Sequence, residues 1–196
     1  MFWLILAIVL WGILHSLLAS TGIKDLFRRA FGNGFMKSYR LIYNVYAVIS
    51  ILPVLYLMIT LPDRELYRVS APYDYLMRVG QGASIFLLFV AVFQTDLFSF
   101  VGLRQLFKEE KPGTLITSGL YQFVRHPLYT FSLLILWFSP RLSLNSFIVY
   151  AALTFYVLIG IIFEERKLLR EFGQEYTNYR SVTPMLIPGL NFLWNK

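Results

Sequence analysis

The chain has 196 residues, of which 57% are hydrophobic and 15% charged, against about 45–50% and about 25% in soluble domains. This composition excludes an ordinary soluble domain, so the net charge of +7 indicates membrane topology rather than a nucleic-acid partner. Cysteine is absent, which excludes disulfides, thiolate metal sites and cysteine nucleophiles.

Five apolar stretches predict five transmembrane helices, because a helix needs roughly 20 apolar residues to cross a bilayer. In chain order they cover residues 2–18, 41–61, 76–93, 128–139 and 146–163. The first has no basic leader and is expected to be a retained span rather than a removed signal peptide. The stretches lack the alternation of barrel strands. We therefore predict an all-α fold, a polytopic membrane helical bundle.

The fourth stretch is too short to cross a membrane as a straight helix, since 12 residues rise only about 18 Å. Either its helix begins earlier, near Gly119, or it forms a tight C-terminal hairpin with the fifth stretch through Ser139, Pro140 and Arg141. After the fifth stretch, apolar residues at helical spacing predict an amphipathic tail at the membrane surface, namely Leu168, Phe172, Tyr176 and Tyr179.

Basic residues are distributed unevenly between the connections. The first connection, the third connection and the tail carry 14 of the 18 lysines and arginines, including Lys108, Lys111 and Lys196. Since cytoplasmic segments are enriched in Lys and Arg, the N-terminus is predicted outside and the C-terminus in the cytoplasm.

Three polar clusters lie on the predicted cytoplasmic side. In the first, Arg125 and His126 precede Pro127, a residue that suits the first turn of a helix; a helix N-terminus beside an arginine can bind an anion. The second is Glu164-Glu165 at the end of an apolar helix, where acids are costly and often functional. The third contains His15, Arg40, Tyr43 and Asn44. The first cluster is also compatible with a topology anchor, the second with a solvated helix face, and the third with packing of His15 and anchoring by its other residues.

An ordered set of motifs across about residues 114–188 resembles one family of membrane enzymes. The motifs are Gly119-Leu120-Tyr121, Arg125-His126-Pro127-Leu128-Tyr129, Glu164-Glu165, Phe172-Gly173, Tyr176, Tyr179 and Pro184 to Pro188. This set resembles the isoprenylcysteine carboxyl methyltransferase and phospholipid methyltransferase superfamily. The N-terminal half, through His15-Ser16 and residues 39–44, is similar to its NnrU-like and thiol S-methyltransferase branch.

The resemblance implies a membrane methyltransferase that uses S-adenosylmethionine, with helices and loops in residues 1–113 and a cofactor-binding region in 114–196. It implies Arg125 and Glu165 as catalytic residues and His15, Arg40, Tyr43 and Asn44 as substrate-binding residues. The implied cofactor-binding residues are Gly119, Tyr121, Arg125, His126, Pro127, Tyr129, Glu164, Glu165 and Tyr176. No metal is implied, and the methyl acceptor is a small molecule or membrane lipid bearing a thiol, carboxylate or amine.

Two other classes of function are open. His15 and His126 both lie toward the predicted cytoplasmic side, so a membrane redox or haem protein is possible. A noncatalytic membrane scaffold or small transporter is the third class, and it predicts no cofactor binding. The sequence does not specify the acceptor or the oligomeric state.

Overall fold

The computed structural model is mostly helical and describes residues 1–107 and 114–189. Its helices are α1 (Phe2–Ala19), α2 (Thr21–Thr60), α3 (Tyr73–Gln94), α4 (Leu97–Val101), α5 (Arg104–Phe107), α6 (Pro127–Trp137), α7 (Leu144–Phe172) and α8 (Gln174–Val182). A 3-10 turn covers Gly119–Gln122, and two short strands, β1 (Glu65–Arg68) and β2 (Arg141–Ser143), pair with each other. The all-α prediction missed these strands, because three or four residues are too few to show a readable alternation.

Four helices in the described residues are long and apolar enough to cross a membrane: α1, α2, α3 and α7. They correspond to four of the five predicted stretches and make the chain an integral membrane protein. The remaining stretch forms α6, which has 11 residues and spans only about 16 Å. It begins at Pro127 and not near Gly119, because Gly119 is the start of the 3-10 turn and Pro127 occupies the first helical position.

The described residues divide into two compact units. The first contains residues 1–64, 96–107 and 143–149, and the second contains residues 65–95, 114–142 and 150–189. These units do not follow the sequence-based division at 113/114, which lies at the edge of the described residues and stays a prediction. Lys108, Lys111 and Lys196, used in the charge count, lie outside the described residues.

In the second unit, α3 runs antiparallel to the segment that contains the 3-10 turn and α6. A Cβ on Gly80 would lie 2.8 Å from the Phe138 ring, so the helices approach closely there. The side chain of the next residue, Gln81, donates to the Ile135 carbonyl at 2.8 Å. This packing fixes the turn before α6 beside the C-terminal end of α3.

Candidate functional site

The turn before α6 is held by the end of α3. Gly119 has a φ of +65°, a left-handed conformation that glycine adopts readily. The Gln94 side chain packs against Gly119, and its Oε1 accepts a hydrogen bond from the Leu120 backbone N–H at 2.9 Å. The chain therefore has a fixed conformation just before the Arg125-His126-Pro127 sequence.

Arg125 is buried, with its side chain 1% exposed. Its Nε donates to Glu165 Oε1 at 2.7 Å, and its Nη1 donates to the carbonyls of Arg180, at 3.2 Å, and Thr183. The guanidinium therefore links the turn before α6 to the C-terminal half of α7 and to the tail.

The chain after α8 pairs with the backbone of the same turn. The Arg125 N–H donates to the Pro184 carbonyl at 2.9 Å, and the His126 N–H donates to the Met185 carbonyl at 3.2 Å. The Thr130 hydroxyl donates to the Leu186 carbonyl at 2.9 Å. The first two of these bonds satisfy backbone N–H groups at and just before the N-cap of α6, which have no partner within the helix.

Glu165 is the common acceptor of the cluster and is 8% exposed. Its Oε1 lies 2.7 Å from Arg125 Nε, 3.2 Å from His126 Nε2 and 3.1 Å from the Tyr176 hydroxyl. Its Oε2 lies 3.7 Å from Arg180 Nε. A buried carboxylate is stable in such a place only because charged and polar donors replace its water.

Tyrosines enclose the cluster on the tail side. Tyr176 and Tyr179 are buried with their ring centroids 6.0 Å apart, and the Tyr179 hydroxyl donates to the Tyr121 carbonyl. Burial, with the nearby Glu164 charge, raises the pKa of Tyr121 to about 12. Burial likewise raises the pKa of Tyr176 and of Tyr179. Tyr129 stacks on the His126 ring at 5.7 Å.

Two polar atoms of the cluster have unused bonding capacity. Arg125 Nη2 and Glu164 Oε2 are inaccessible to water and have no hydrogen-bond partner among the described residues. Glu164 Oε2 lies 3.7 Å from His126 Nδ1. One is an unused donor on a cation and the other an unused acceptor on an acid, so together they suit a ligand that carries both an anionic and a cationic or hydroxyl group.

A surface cavity of about 570 Å³ adjoins this cluster, within the usual size range of small-molecule sites. Tyr179 and Thr183, which line it, also take part in the hydrogen bonds around Arg125 and Tyr121. The other lining residues are mostly polar: Thr117, Gln122, Asn178 and Val182.

The residues predicted to bind substrate lie in the first unit. The Tyr43 hydroxyl bonds to His15 Nε2 at 2.8 Å, and Trp11 stacks on the His15 ring at 5.0 Å. The Asn44 side chain donates to the Val101 carbonyl at 2.8 Å, and Arg40 is exposed. His15 and Tyr43 are therefore brought together, whereas Asn44 holds the backbone of α4. Their role in substrate binding stays a prediction.

The sequence reasoning missed several residues that build the second-unit cluster. Gln94 gives a weak signal, as a polar residue at the end of an apolar helix, and Arg180 is one of several basic residues in the tail. The carbonyls of Thr183, Pro184 and Met185 have no sequence signal at all, because every residue carries a carbonyl.

Comparison with known proteins identifies the family. Residues 3–191 match the family model described as NnrU protein. The chain belongs to the NnrU family. This confirms the resemblance inferred from the sequence motifs. No solved structure matches this NnrU protein significantly.

This NnrU chain is also similar to proteins named methanethiol S-methyltransferase. It is 36% identical over 107 residues to the one from Crocosphaera subtropica, covering 52% of this chain but only 42% of that protein. It is 29% identical over 197 residues to the one from Pseudomonas deceptionensis, covering 95% of this chain and 72% of that protein. The corresponding values for the protein from Mycobacterium tuberculosis are 28% over 183 residues, 89% and 72%.

Proposed function

We propose that this protein is an integral membrane methyltransferase that uses S-adenosylmethionine to methylate a small thiol. The names of its relatives support the reaction and the acceptor class. The observation that carries the proposal is the buried cluster around Arg125 and Glu165, with its two unused polar atoms. A carboxylate or lipid amine acceptor is the alternative that a substrate panel tests.

The chain's polar groups fit the functional groups of S-adenosylmethionine. The donor on Arg125 Nη2, beside the N-terminal end of α6 at His126 and Pro127, suits its carboxylate. Glu164 Oε2 suits its ammonium or ribose hydroxyls. The faces of Tyr121, Tyr129 and Tyr176 suit positive charge, as on a sulfonium. When bound, this cofactor would supply an electrophilic methyl group.

The chain itself would contribute positioning and exclusion of water. Glu165 is already engaged by three donors, so its proposed role is to hold Arg125, His126 and Tyr176 in place, while Glu164 contacts the cofactor. Gly119 would support the positions of Arg125 and His126 by fixing the turn before them. Methyl transfer is a direct displacement, so alignment should contribute more than acid–base catalysis.

We also propose five membrane crossings, with the N-terminus outside and the C-terminus in the cytoplasm. Support comes from the pairing of β1, which follows α2, with β2, which follows α6. Paired strands lie on one side of the membrane, so α6 would carry the chain from the Arg125 side to the β1 side despite its length. The basic residues favour the Arg125 side as cytoplasmic.

The haem alternative has no support in the second unit. Both ring nitrogens of His126 face carboxylates, Nε2 at 3.2 Å from Glu165 and Nδ1 at 3.7 Å from Glu164. A scaffold role remains the competing hypothesis, and it predicts that no cofactor binds.

The test is calorimetric titration of S-adenosylhomocysteine into the detergent-solubilised protein, followed by radiolabelled methyl transfer to a panel of thiols and lipids. Glu164→Gln should weaken binding tenfold or more, because a hydrogen bond to a charged group contributes about 1.5–3 kcal/mol. Its thermal stability should match the wild type, since Glu164 Oε2 has no hydrogen-bond partner among the described residues. Wild-type protein that binds no S-adenosylhomocysteine would refute the proposal.

A further inference from the structure

The connection between α1 and the membrane-spanning part of α2 has a distinctive fold. Residues 21–37, here called the basic aromatic segment, begin as a helix capped by the Ser20 side chain, which accepts from the Ile23 N–H. The helix breaks at Gly32, where φ is +75° and ψ is 176°. Beyond the break the chain folds back, with the Phe27 ring centroid 5.9 Å from that of Phe35 and 5.6 Å from that of Tyr39.

This segment is held at the end of a membrane-spanning helix. The Tyr39 hydroxyl donates to the Leu18 carbonyl in the last turn of α1 at 2.7 Å. The chain enters apolar helices on both sides of the segment, α1 before it and the rest of α2 after it. The segment is therefore tethered to the membrane surface at both ends.

The first helix of the segment has two chemically distinct faces. One face carries apolar side chains at helical spacing: Ile23, Leu26, Phe27, Ala30 and Phe31. Phe27 packs inward, but Leu26 is 59% exposed and Phe31 is 61% exposed. The other face carries Lys24, Asp25, Arg28 and Arg29, and Lys37 follows the break.

Charge complementarity identifies what covers the exposed face. Four of the five charged residues in the segment are basic, and Arg28 remains 53% exposed although it pairs with Asp25 at 2.8 Å. A helix with an apolar face and a basic face binds in the plane of the membrane interface, and its affinity rises with anionic lipid. Lipid is also the nearest partner, because both ends of the segment join helices long and apolar enough to span a membrane.

We infer that the basic aromatic segment lies in the membrane interface, with Leu26 and Phe31 among the acyl chains and Arg28, Arg29 and Lys37 against anionic headgroups. Gly32 supplies the bend that lets the chain leave the interface and continue into the membrane-spanning part of α2. This inference does not depend on the methyltransferase proposal.

The absence of cysteine makes single-site spin labelling a direct test. Nitroxides are placed on Phe31→Cys, on Leu26→Cys and, on the basic face, on Arg29→Cys in vesicles of phosphatidylcholine with added phosphatidylglycerol. Collision with oxygen should exceed collision with a water-soluble nickel chelate at positions 26 and 31, and the reverse should hold at position 29. Leu10→Cys, on the exposed face of α1, is the matched control for a lipid-facing site in a folded protein.

The lipid preference is tested with the same labels. Omitting phosphatidylglycerol should make position 31 shallower, and an Arg29→Gln, Lys37→Gln variant should lose most of this dependence. Greater nickel than oxygen collision at both 29 and 31 would place the segment in water and overturn the inference. Greater oxygen collision at all three positions would make it part of a span and also overturn it. If the depth of the label at position 31 does not change when phosphatidylglycerol is omitted, recognition of anionic headgroups is refuted.

Discussion

Glu165 concentrates more interactions than any neighbouring acid described along α7. One of its oxygens serves Arg125, His126 and Tyr176, and the carboxylate is almost completely removed from water. By contrast, Glu171, two turns further along, pairs with Lys167 at 4.0 Å with side chains 39% and 74% exposed. Burial makes the Arg125–Glu165 pair important for stability, since exposed ion pairs contribute only about 0–1 kcal/mol.

Glu165→Gln should therefore destabilise the protein strongly. The amide keeps the shape of the carboxylate but leaves the buried Arg125 charge uncompensated, and breaking a buried pair costs about 3–5 kcal/mol. Thermal unfolding in detergent measures the effect. Glu171→Gln is the control and should lose no more than about 1 kcal/mol. Equal melting temperatures for the two variants would contradict this account.

At the residue level the sequence motifs name residues that the structure brings together, but they do not show which contacts each of them makes. Arg125, His126, Glu165 and Tyr176 were predicted from motifs, and the structure brings them together. Glu164 and Glu165 look equivalent in sequence. Adjacent helical residues point about 100° apart, so only the packing of α7 against the turn and tail decides which acid is engaged internally.

The turn before α6 illustrates what an element needs from its neighbours. Gly119 has a positive φ, and a Cβ there would lie 2.6 Å from Cδ of Gln94. The motif implies that Gly119 binds cofactor, which stays a prediction; in the structure Gln94 packs against Gly119 and accepts a hydrogen bond from the Leu120 N–H.

Gly119→Ala should destabilise the second unit by more than the about 1–2 kcal/mol that alanine incurs in a left-handed conformation, because Gln94 must also move. Denaturant unfolding of Gly119→Ala, Gln94→Ala and the double variant measures the coupling. The double variant should lose less than the sum of the single losses. Gly22→Ala is the control, since a Cβ there meets nothing within 4 Å. Strict additivity would rule out the steric explanation.

The opposite end of α7 is organised by a residue distant in sequence. Asp63 accepts from the Asn145 N–H at 3.0 Å and from its neighbour Arg64 at 2.7 Å. Asn145 is fully buried and donates to the Leu61 carbonyl at 3.2 Å. Although burial acts to raise the pKa of Asp63, hydrogen bonds from Ser143, Asn145 and Arg64 outweigh it and hold the pKa below its ordinary value.

Asp63→Ala should lower the free energy of unfolding by about 1 kcal/mol, as loss of a helix cap does. Because the folded-state pKa is lowered, the charge contributes stability at neutral pH that is lost as the pH falls through that pKa. Asp63→Asn should keep part of the capping but lose this acid dependence. Unfolding curves at neutral and acidic pH compare the three proteins. An unchanged pH dependence in Asp63→Asn would contradict the assignment.

For the whole molecule, the number of crossings decides which ends share a compartment. With α6 crossing, the loop that contains Ser70 and the tail that contains Glu175 lie on opposite sides of the membrane; without it, they lie on the same side. Both residues are exposed.

Single cysteines test this directly, because the chain has none of its own. In intact cells a membrane-impermeant maleimide should label Ser70→Cys and should not label Glu175→Cys. Permeabilised cells, in which both should react, provide the control. Labelling of both positions in intact cells would indicate four crossings and refute the five-helix proposal.

The sequence by itself determined that this protein lies in a membrane, where four of its long helices are, and which family it belongs to. Those features depend on local composition and on motifs that stay close together in the chain. Only the tertiary structure decided that α6 begins at Pro127 and not near Gly119, that two strands pair, and that tail carbonyls complete the shell around Arg125. The shell around Arg125 rests on backbone groups and on partners 40 to 58 residues apart. Hydrogen bonds to backbone leave no mark on residue identity, so they become visible only when the chain is folded.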